Sequence, residues 1–337
     1  MQPQTNQQDT RRLALDQWVQ TSLGEPVRGE VASADASFRR YFRYYRPDGS
    51  SLIAMDAPPE HENSAPFVAV AGRLAAAGVA VPQIIATDLT QGFLLLSDLG
   101  RETWLHVFDE HNADALFGRA LKVLLDIQNA DVSGLPDYDE ALLRRELALF
   151  PDWYLDRHLA GRLGHSARAE LGRLLVQVDQ QLVRAALDQA QVFVHRDYMP
   201  RNLMEGPFSP GVLDFQDAVR GPVSYDAVSL FRDAFISWPE ARVSGWLGDY
   251  WAMARERGLP VPDSRDRFLR DCDLMGAQRH LKIMGIFARI THRDGKPRYV
   301  TDTPRFAAYL DTVAARYEEL APLRRVLTIL TEEGVHG

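Results

Sequence analysis

The chain has 337 residues, 46% hydrophobic and 25% charged, with 38 Lys and Arg against 46 Asp and Glu for a formal net charge of −8. That length allows two cores or one large one, and the composition is that of a soluble globular protein. The acidic balance argues against a general nucleic-acid or anionic-membrane binder, whose affinity comes from clustered Lys and Arg.

In chain order, residues 1–10 are polar and read as frayed, and RRLALDQWVQTSLG (11–24) patterns as a short amphipathic helix with Gly24 past its end. This N-terminus lacks the basic start and long apolar core of a signal peptide, and no apolar run approaches membrane-spanning length. SFRRYFRYYR (37–46) and SSLIAMDA (50–57) flank the turn Pro47-Asp48-Gly49 and predict a hairpin. SAPFVAVAGRLAAAGV (64–79) reads as a helix with Ser64 as its cap and Pro66 in the first turn. QIIATDL and GFLLLSDLG follow as two more strands around a turn at Thr90–Gly92. A small, mainly antiparallel sheet with one helix is expected over 1–97.

Beyond that boundary the pattern becomes helical. Phe117, Leu121, Leu124 and Leu125 share a stripe over 115–130, and Leu171, Leu174, Leu175, Val178 and Leu182 share another over 168–187. Residues 142–161 read as helical on both sides of Pro151. Two short β runs, VFVH (192–195) and GVLDF (211–215), interrupt a region that is otherwise helical to about 335. The expectation is an α+β chain with a β-rich lobe at 1–97 and a mainly helical lobe at 98–337. The lone cysteine, Cys272, can close no internal disulfide, which fits a reducing, cytoplasmic setting; its acidic neighbours argue against a nucleophile.

The β runs deliver polar residues at a telling spacing: His195-x-Asp197-x-x-x-x-Asn202, then Asp214 at the end of LDF. Transfer of a phosphoryl group from a nucleotide needs a base for the acceptor hydroxyl and oxygen ligands for divalent ions on the phosphates. Asp197 can be that base, while Asn202 and Asp214 can hold Mg²⁺, which keeps several waters and asks few protein ligands.

This spacing resembles the catalytic loop and metal-binding Asp of the protein-kinase superfamily. With no A-P-E and a short QDAVRGPVSYDAVSL after Asp214, it is similar to the aminoglycoside phosphotransferase-like small-molecule kinases. ADASFRRYFRY, MDAPPE, LLLSDLG, ELALFPDWYL and QRHLKIMGIFARITHRDGKPRYVTDTPR narrow the resemblance to the bacterial anomeric amino-sugar kinases. It implies a bilobal protein-kinase-like fold, ATP and Mg²⁺, and transfer to the C1 hydroxyl of N-acetylmuramate and N-acetylglucosamine in cell-wall recycling. An aminoglycoside or other small-molecule phosphotransferase is the alternative on the same fold, and a nucleotide-binding pseudokinase scaffold is one of another class. No nucleic acid or membrane partner is expected.

By the same resemblance the adenine would lie against Leu96, Ser97, Asp98 and Leu99. The usual strand lysine and helix glutamate are missing: Met55 stands where the lysine is expected, and the helix after it has no acid, Glu60 and Glu62 being the nearest. Ser37 and neighbouring backbone N–H groups, with Arg39 or Arg40 adding charge, would cover the phosphates. Asp226 would anchor the catalytic loop or cap the next helix, and His195 would orient the loop. Asp217 could touch substrate or cap a turn, and the turn is the favoured reading. For the sugar, Trp153 and Tyr154 offer flat surface if they do not simply pack between helices. Arg279, Lys282, Arg289 and Arg293 share one helical face, readable as solvated or as facing a substrate carboxylate, and Arg232 is a further polar candidate.

Overall fold

The computed structural model of the protein describes residues 4–34 and 38–335. Its contacts fall into two units, Met1–Asp131 with Pro200–Ala218, and Val132–Met199 with Val219–Gly337. The boundary expected at residue 97 thus lies inside the first unit.

The first unit begins with helix α1 (Gln4–Leu23), so residues 4–10 are helical rather than frayed. Strands β1 (Arg28–Ala34), β2 (Arg40–Tyr45) and β3 (Ser51–Asp56) follow, then α2 (Ala65–Ala76), β4 (Ile84–Asp88) and β5 (Phe93–Ser97). They form a five-stranded antiparallel sheet in the order β1-β2-β3-β5-β4. Period-two alternation sorts its faces. Phe42, Tyr44, Leu52, Ala54, Phe93 and Leu95 pack with Leu15 and Val19 of α1 in one buried cluster. Asp56, on that same face, is fully buried between Arg11 and Arg40; a carboxylate without water needs such pairing. Ser64 occupies the N-cap of α2, but its hydroxyl makes no capping bond.

β6 (Glu102–Thr103), α3 (Trp104–Val107) and α4 (Ala113–Gln128) continue this unit. β6 pairs with β8 (Leu203–Glu205), which pairs with β9 (Gly211–Val212), and this three-stranded sheet draws residues 200–218 into the first unit. The approach is close at Gly100, at φ 130°, where a Cβ would stand 2.5 Å from the Glu205 carbonyl oxygen.

The second unit holds α5 (Glu140–Leu147), a π-helix over Phe150–His158, α6 (His165–Leu187), β7 (Gln191–Val194) and β10 (Val219–Pro222). Helices α7 (Tyr225–Phe231), α8 (Glu240–Glu256), α9 (Arg265–Asp294), α10 (Thr303–Arg316) and α11 (Ala321–Glu332) complete it. α9 is buried on all sides from Asp271 to Leu281, as befits a central helix. Gly285 lets the π-helix segment approach it, since a Cβ there would lie 2.3 Å from the Leu149 carbonyl carbon. Among the described residues, no helix is long and apolar enough to cross a membrane.

Candidate active site

In the second unit, β7 is an almost wholly apolar strand paired antiparallel with β10, and it delivers His195, Arg196 and Asp197 at its end. Arg196 adopts φ 76°, a left-handed conformation unusual for a side-chain-bearing residue. Asp226 supports it: its carboxylate accepts the N–H of His195 at 2.7 Å and that of Arg196 at 3.0 Å. The N-cap of α7 is Ser224, so Asp226 serves the loop rather than the helix end. Complete burial pushes the Asp226 carboxyl up to about 7, against the pull of those two N–H groups and Arg279. The fully buried His195 ring accepts from the N–H of Asp197 at 3.3 Å, an orienting contact.

A buried charge cluster grips the same turn. Glu146 of α5 accepts from Arg196 at 2.5 Å, from Lys282 at 2.7 Å and from Gln278 at 3.2 Å, and Tyr138 also donates to it. Burial alone would raise Glu146; Lys282 and Arg196 outweigh it and bring the carboxyl down to about 2. Arg279 donates to the Arg196 carbonyl at 3.1 Å and to the Ser229 hydroxyl at 2.8 Å.

In the first unit, a 3₁₀ turn at Pro200–Asn202 leads into β8, and the Leu213 N–H closes on the Asn202 carbonyl at 2.9 Å. The expected strand over 211–215 stops at Val212 because Asp214 turns to φ 62°. That turn sets its carboxylate beside Asn202, whose amide donates to it at 3.4 Å, while Gln216 donates at 2.8 Å. Asp214 and Asn202 both line a cavity of about 330 Å³. One carboxylate and one amide oxygen facing a solvent-reached cavity suit Mg²⁺, a hard ion that retains waters. Among the described residues no cluster of three or more His, Cys, Asp or Glu competes as a metal site.

The same cavity is walled by Tyr41, Arg43, Ile53, Phe67, Leu96, Ser97, Asp98 and Leu99. The Asp98 carboxylate is held by Arg43 at 2.5 and 3.1 Å, Ser51 at 2.7 Å and the Gly100 N–H at 3.0 Å. Burial would raise it, but these donors keep it below the usual carboxylate range. Ser97 accepts the Gln83 N–H at 2.8 Å. Arg39 pairs with Glu62 at 3.0 Å, and Met55 is fully buried. Ser37 lies outside the described residues. Sequence reasoning missed Arg43 and Tyr41, although their alternate positions in RYFRYY, opposite the aromatic face that packs on α1, carried the signal.

The sugar candidates fare differently. Tyr154 is buried and stacked on Phe150 at 5.3 Å, so it is a core residue rather than an open surface, whereas Trp153 is half-buried. The solvated reading of the basic face fails for Arg279, which is buried against Ser229, and for Lys282, which is half-buried against Glu146 and Tyr225. Arg289 is half-buried and Arg293 exposed. Arg232 is buried against Asp273 at 2.8 Å and Glu240 at 3.1 Å. Of these four α9 cations, Lys282 pairs with Glu146 at 2.7 Å and Arg293 with its neighbour Asp294 at 2.6 Å. Asp217 sits in an exposed turn.

Comparison with known proteins fits this arrangement. The chain is 55% identical to a Pseudomonas aeruginosa protein named N-acetylmuramate/N-acetylglucosamine kinase, over 96% of this chain and 98% of the relative. Proteins of the same name from Pseudomonas putida and Neisseria meningitidis are 52% and 44% identical, over 96% and 95% of this chain and 97% and 96% of theirs. Among solved structures, a choline kinase from Cryptosporidium parvum superposes with TM-score 0.59 at 9% identity, covering 90% of this chain and 93% of its own. An ADP-bound aminoglycoside phosphotransferase gives 0.58 at 12%, covering 93% and 98%. Such distant structures establish the kinase-like fold alone. The model of the phosphotransferase enzyme family matches residues 28–267, and with relatives this similar along nearly their whole length, the chain belongs to that family.

Proposed function

We propose that this chain is an ATP-dependent, Mg²⁺-requiring kinase acting on the C1 hydroxyl of N-acetylmuramate and N-acetylglucosamine, in the cytoplasm and in peptidoglycan recycling. The observation that carries the reading is 55% identity, over 96% of the chain, to a protein bearing that kinase name, with Asp197, Asn202 and Asp214 all present. Asp197 accepts the proton of the sugar hydroxyl. Asn202 and Asp214 hold the ion, which when bound neutralises charge on the phosphates. Leu96, Ser97, Asp98 and Leu99 flank the base, with Asp98 acting through its hold on Arg43. Ser37 and Arg39 serve the phosphates. Trp153 remains a candidate for the sugar ring, while Tyr154, Arg232, Arg279 and Lys282 support the walls of the acceptor site instead of touching it.

Phosphoryl transfer is largely dissociative, so holding the acceptor and the phosphates in line matters more than base strength. Both free sugars should consume ATP in a coupled assay, and their C1-blocked methyl glycosides should not. Turnover of the blocked sugars would move the reaction to another hydroxyl.

A further inference from the structure

Kinases of this general plan orient the nucleotide's phosphates with a strand lysine held by a helix glutamate. Neither is present: position 55 on β3 is a fully buried Met, and α2 contains no acid. A nucleotide tail still needs a fixed cation, and the sheet supplies three on β2 and at its entry: Arg39, Arg40 and Arg43.

Two of the three are committed elsewhere. Arg40 faces the α1 side and is consumed by the buried Asp56. Arg43 is on the cavity side, but grips Asp98 and the Gly100 carbonyl at 2.6 Å, at the base-binding end. Arg39 stands one residue before β2 and two before the cavity-lining Tyr41, so continuing the strand's alternation through its entry puts it on Tyr41's face. Register places it at the opposite end of the sheet. Arg43 pairs with Ile53, one residue from the Leu52–Ser97 pair, whereas Arg40 pairs with Asp56 and Asp56 with Phe93. Tyr41 lies directly opposite Met55, so Arg39 is the diagonal neighbour of the vacated lysine position, within reach of a long side chain.

Glu62 completes the arrangement. It precedes α2 by three residues, and its carboxylate spans two partners: the Arg39 guanidinium at 3.0 Å and the Phe38 N–H at 3.3 Å. Both side chains of the ion pair are only 13–14% exposed. Phe38 is also stacked on His61 at 4.4 Å, which fixes the chain where it enters β2. We infer that Arg39, positioned by Glu62, is the phosphate-holding cation of this enzyme, the lysine–glutamate device rebuilt one strand over. A guanidinium has five N–H donors in a rigid fork and can hold a carboxylate and phosphate oxygens together.

The inference rests on the kinase reading, and its test is nucleotide binding, so a wrong acceptor sugar leaves it standing. Calorimetric titration of the full chain with ADP and Mg²⁺, and separately with adenosine, compares wild type with Arg39→Met, Arg39→Lys and Glu62→Gln. Loss of a charge-assisted contact should weaken ADP about ten- to a hundredfold in Arg39→Met and leave adenosine unchanged. Arg39→Lys, which keeps charge but loses the fork, should fall severalfold and serves if the Met variant does not fold. Glu62→Gln should weaken ADP less than Arg39→Met, and the double variant no more than Arg39→Met alone. Wild-type ADP affinity in both Arg39 variants, or an equal loss of adenosine, overturns the assignment.

Discussion

Arg196 and Asp214 are the two non-glycine residues at positive φ among those described, one in each unit, the first beside Asp197 in sequence and the second beside Asn202 in space. Holding such residues left-handed costs on the order of 1–3 kcal/mol each and persists only where surrounding contacts over-determine it. At Arg196 those contacts are Asp226 below and Arg279 and Glu146 around; at Asp214 they are Asn202 and Gln216. At the first turn the N–H groups of His195, Arg196 and Asp197 and the Arg196 carbonyl are all hydrogen-bonded. Asp197→Asn should reduce turnover about 10²–10⁴-fold, the usual worth of a positioned base, with an unchanged melting temperature. Asp214→Ala should abolish the Mg²⁺ dependence of ADP binding measured by titration at varied Mg²⁺. Normal turnover in the first, or unaltered Mg²⁺ dependence in the second, would refute the roles given to these side chains.

At the scale of elements, Glu146 links α5, the turn after β7 and α9 through Arg196 and Lys282. Glu146 is buried and its two cationic partners are half-buried, so the charges stabilise as a set; removing one partner strands the others and costs about 3–5 kcal/mol. Glu146→Gln should lower stability by that order in urea denaturation at neutral pH. The sign of its pH dependence follows from a carboxyl lowered from 4.5 to about 2. Its stabilisation is complete above pH 4.5 and is lost as pH falls toward 2, where the folded form must also take up a proton. Wild type should therefore lose stability between pH 4.5 and 2 more steeply than Glu146→Gln; parallel curves would show that the cluster is not the cause.

Across the whole molecule, contacts do not follow chain order. Residues 200–218 fold with the first unit because β8 finds its partners in β6 and β9, while the flanking β7 and β10 pair with each other in the second. The Asp197–Asn202 stretch therefore spans the point at which the chain passes from one unit to the other, between Met199 and Pro200. Cys272, in the N-terminal third of α9, is fully buried. Burial pushes its thiol well up, and Asp273 and Asp271 add to this against Arg232. The native chain should react with a thiol reagent roughly a hundredfold or more slower than the guanidine-unfolded chain, since access requires opening of the core. Equal rates would place the thiol at the surface.

The sequence by itself determined four of the five strands of the first hundred residues, β1 being missed, together with the amphipathic helices and the spacing from His195 to Asp214, because period, turn residues and catalytic spacing are written within a few positions of one another. It also marked the absence of the strand lysine. Tertiary structure alone decided which long side chains meet. Arg279 and Lys282 have the spacing of a solvated face, yet neighbours from remote parts of the chain bury the first and half-bury the second; Arg39 finds Glu62 and Arg43 finds Asp98 only once the sheet has registered. Local pattern fixes which way a residue points along its own element, but a charge acquires its partner, and hence its function, from elements that only folding brings near.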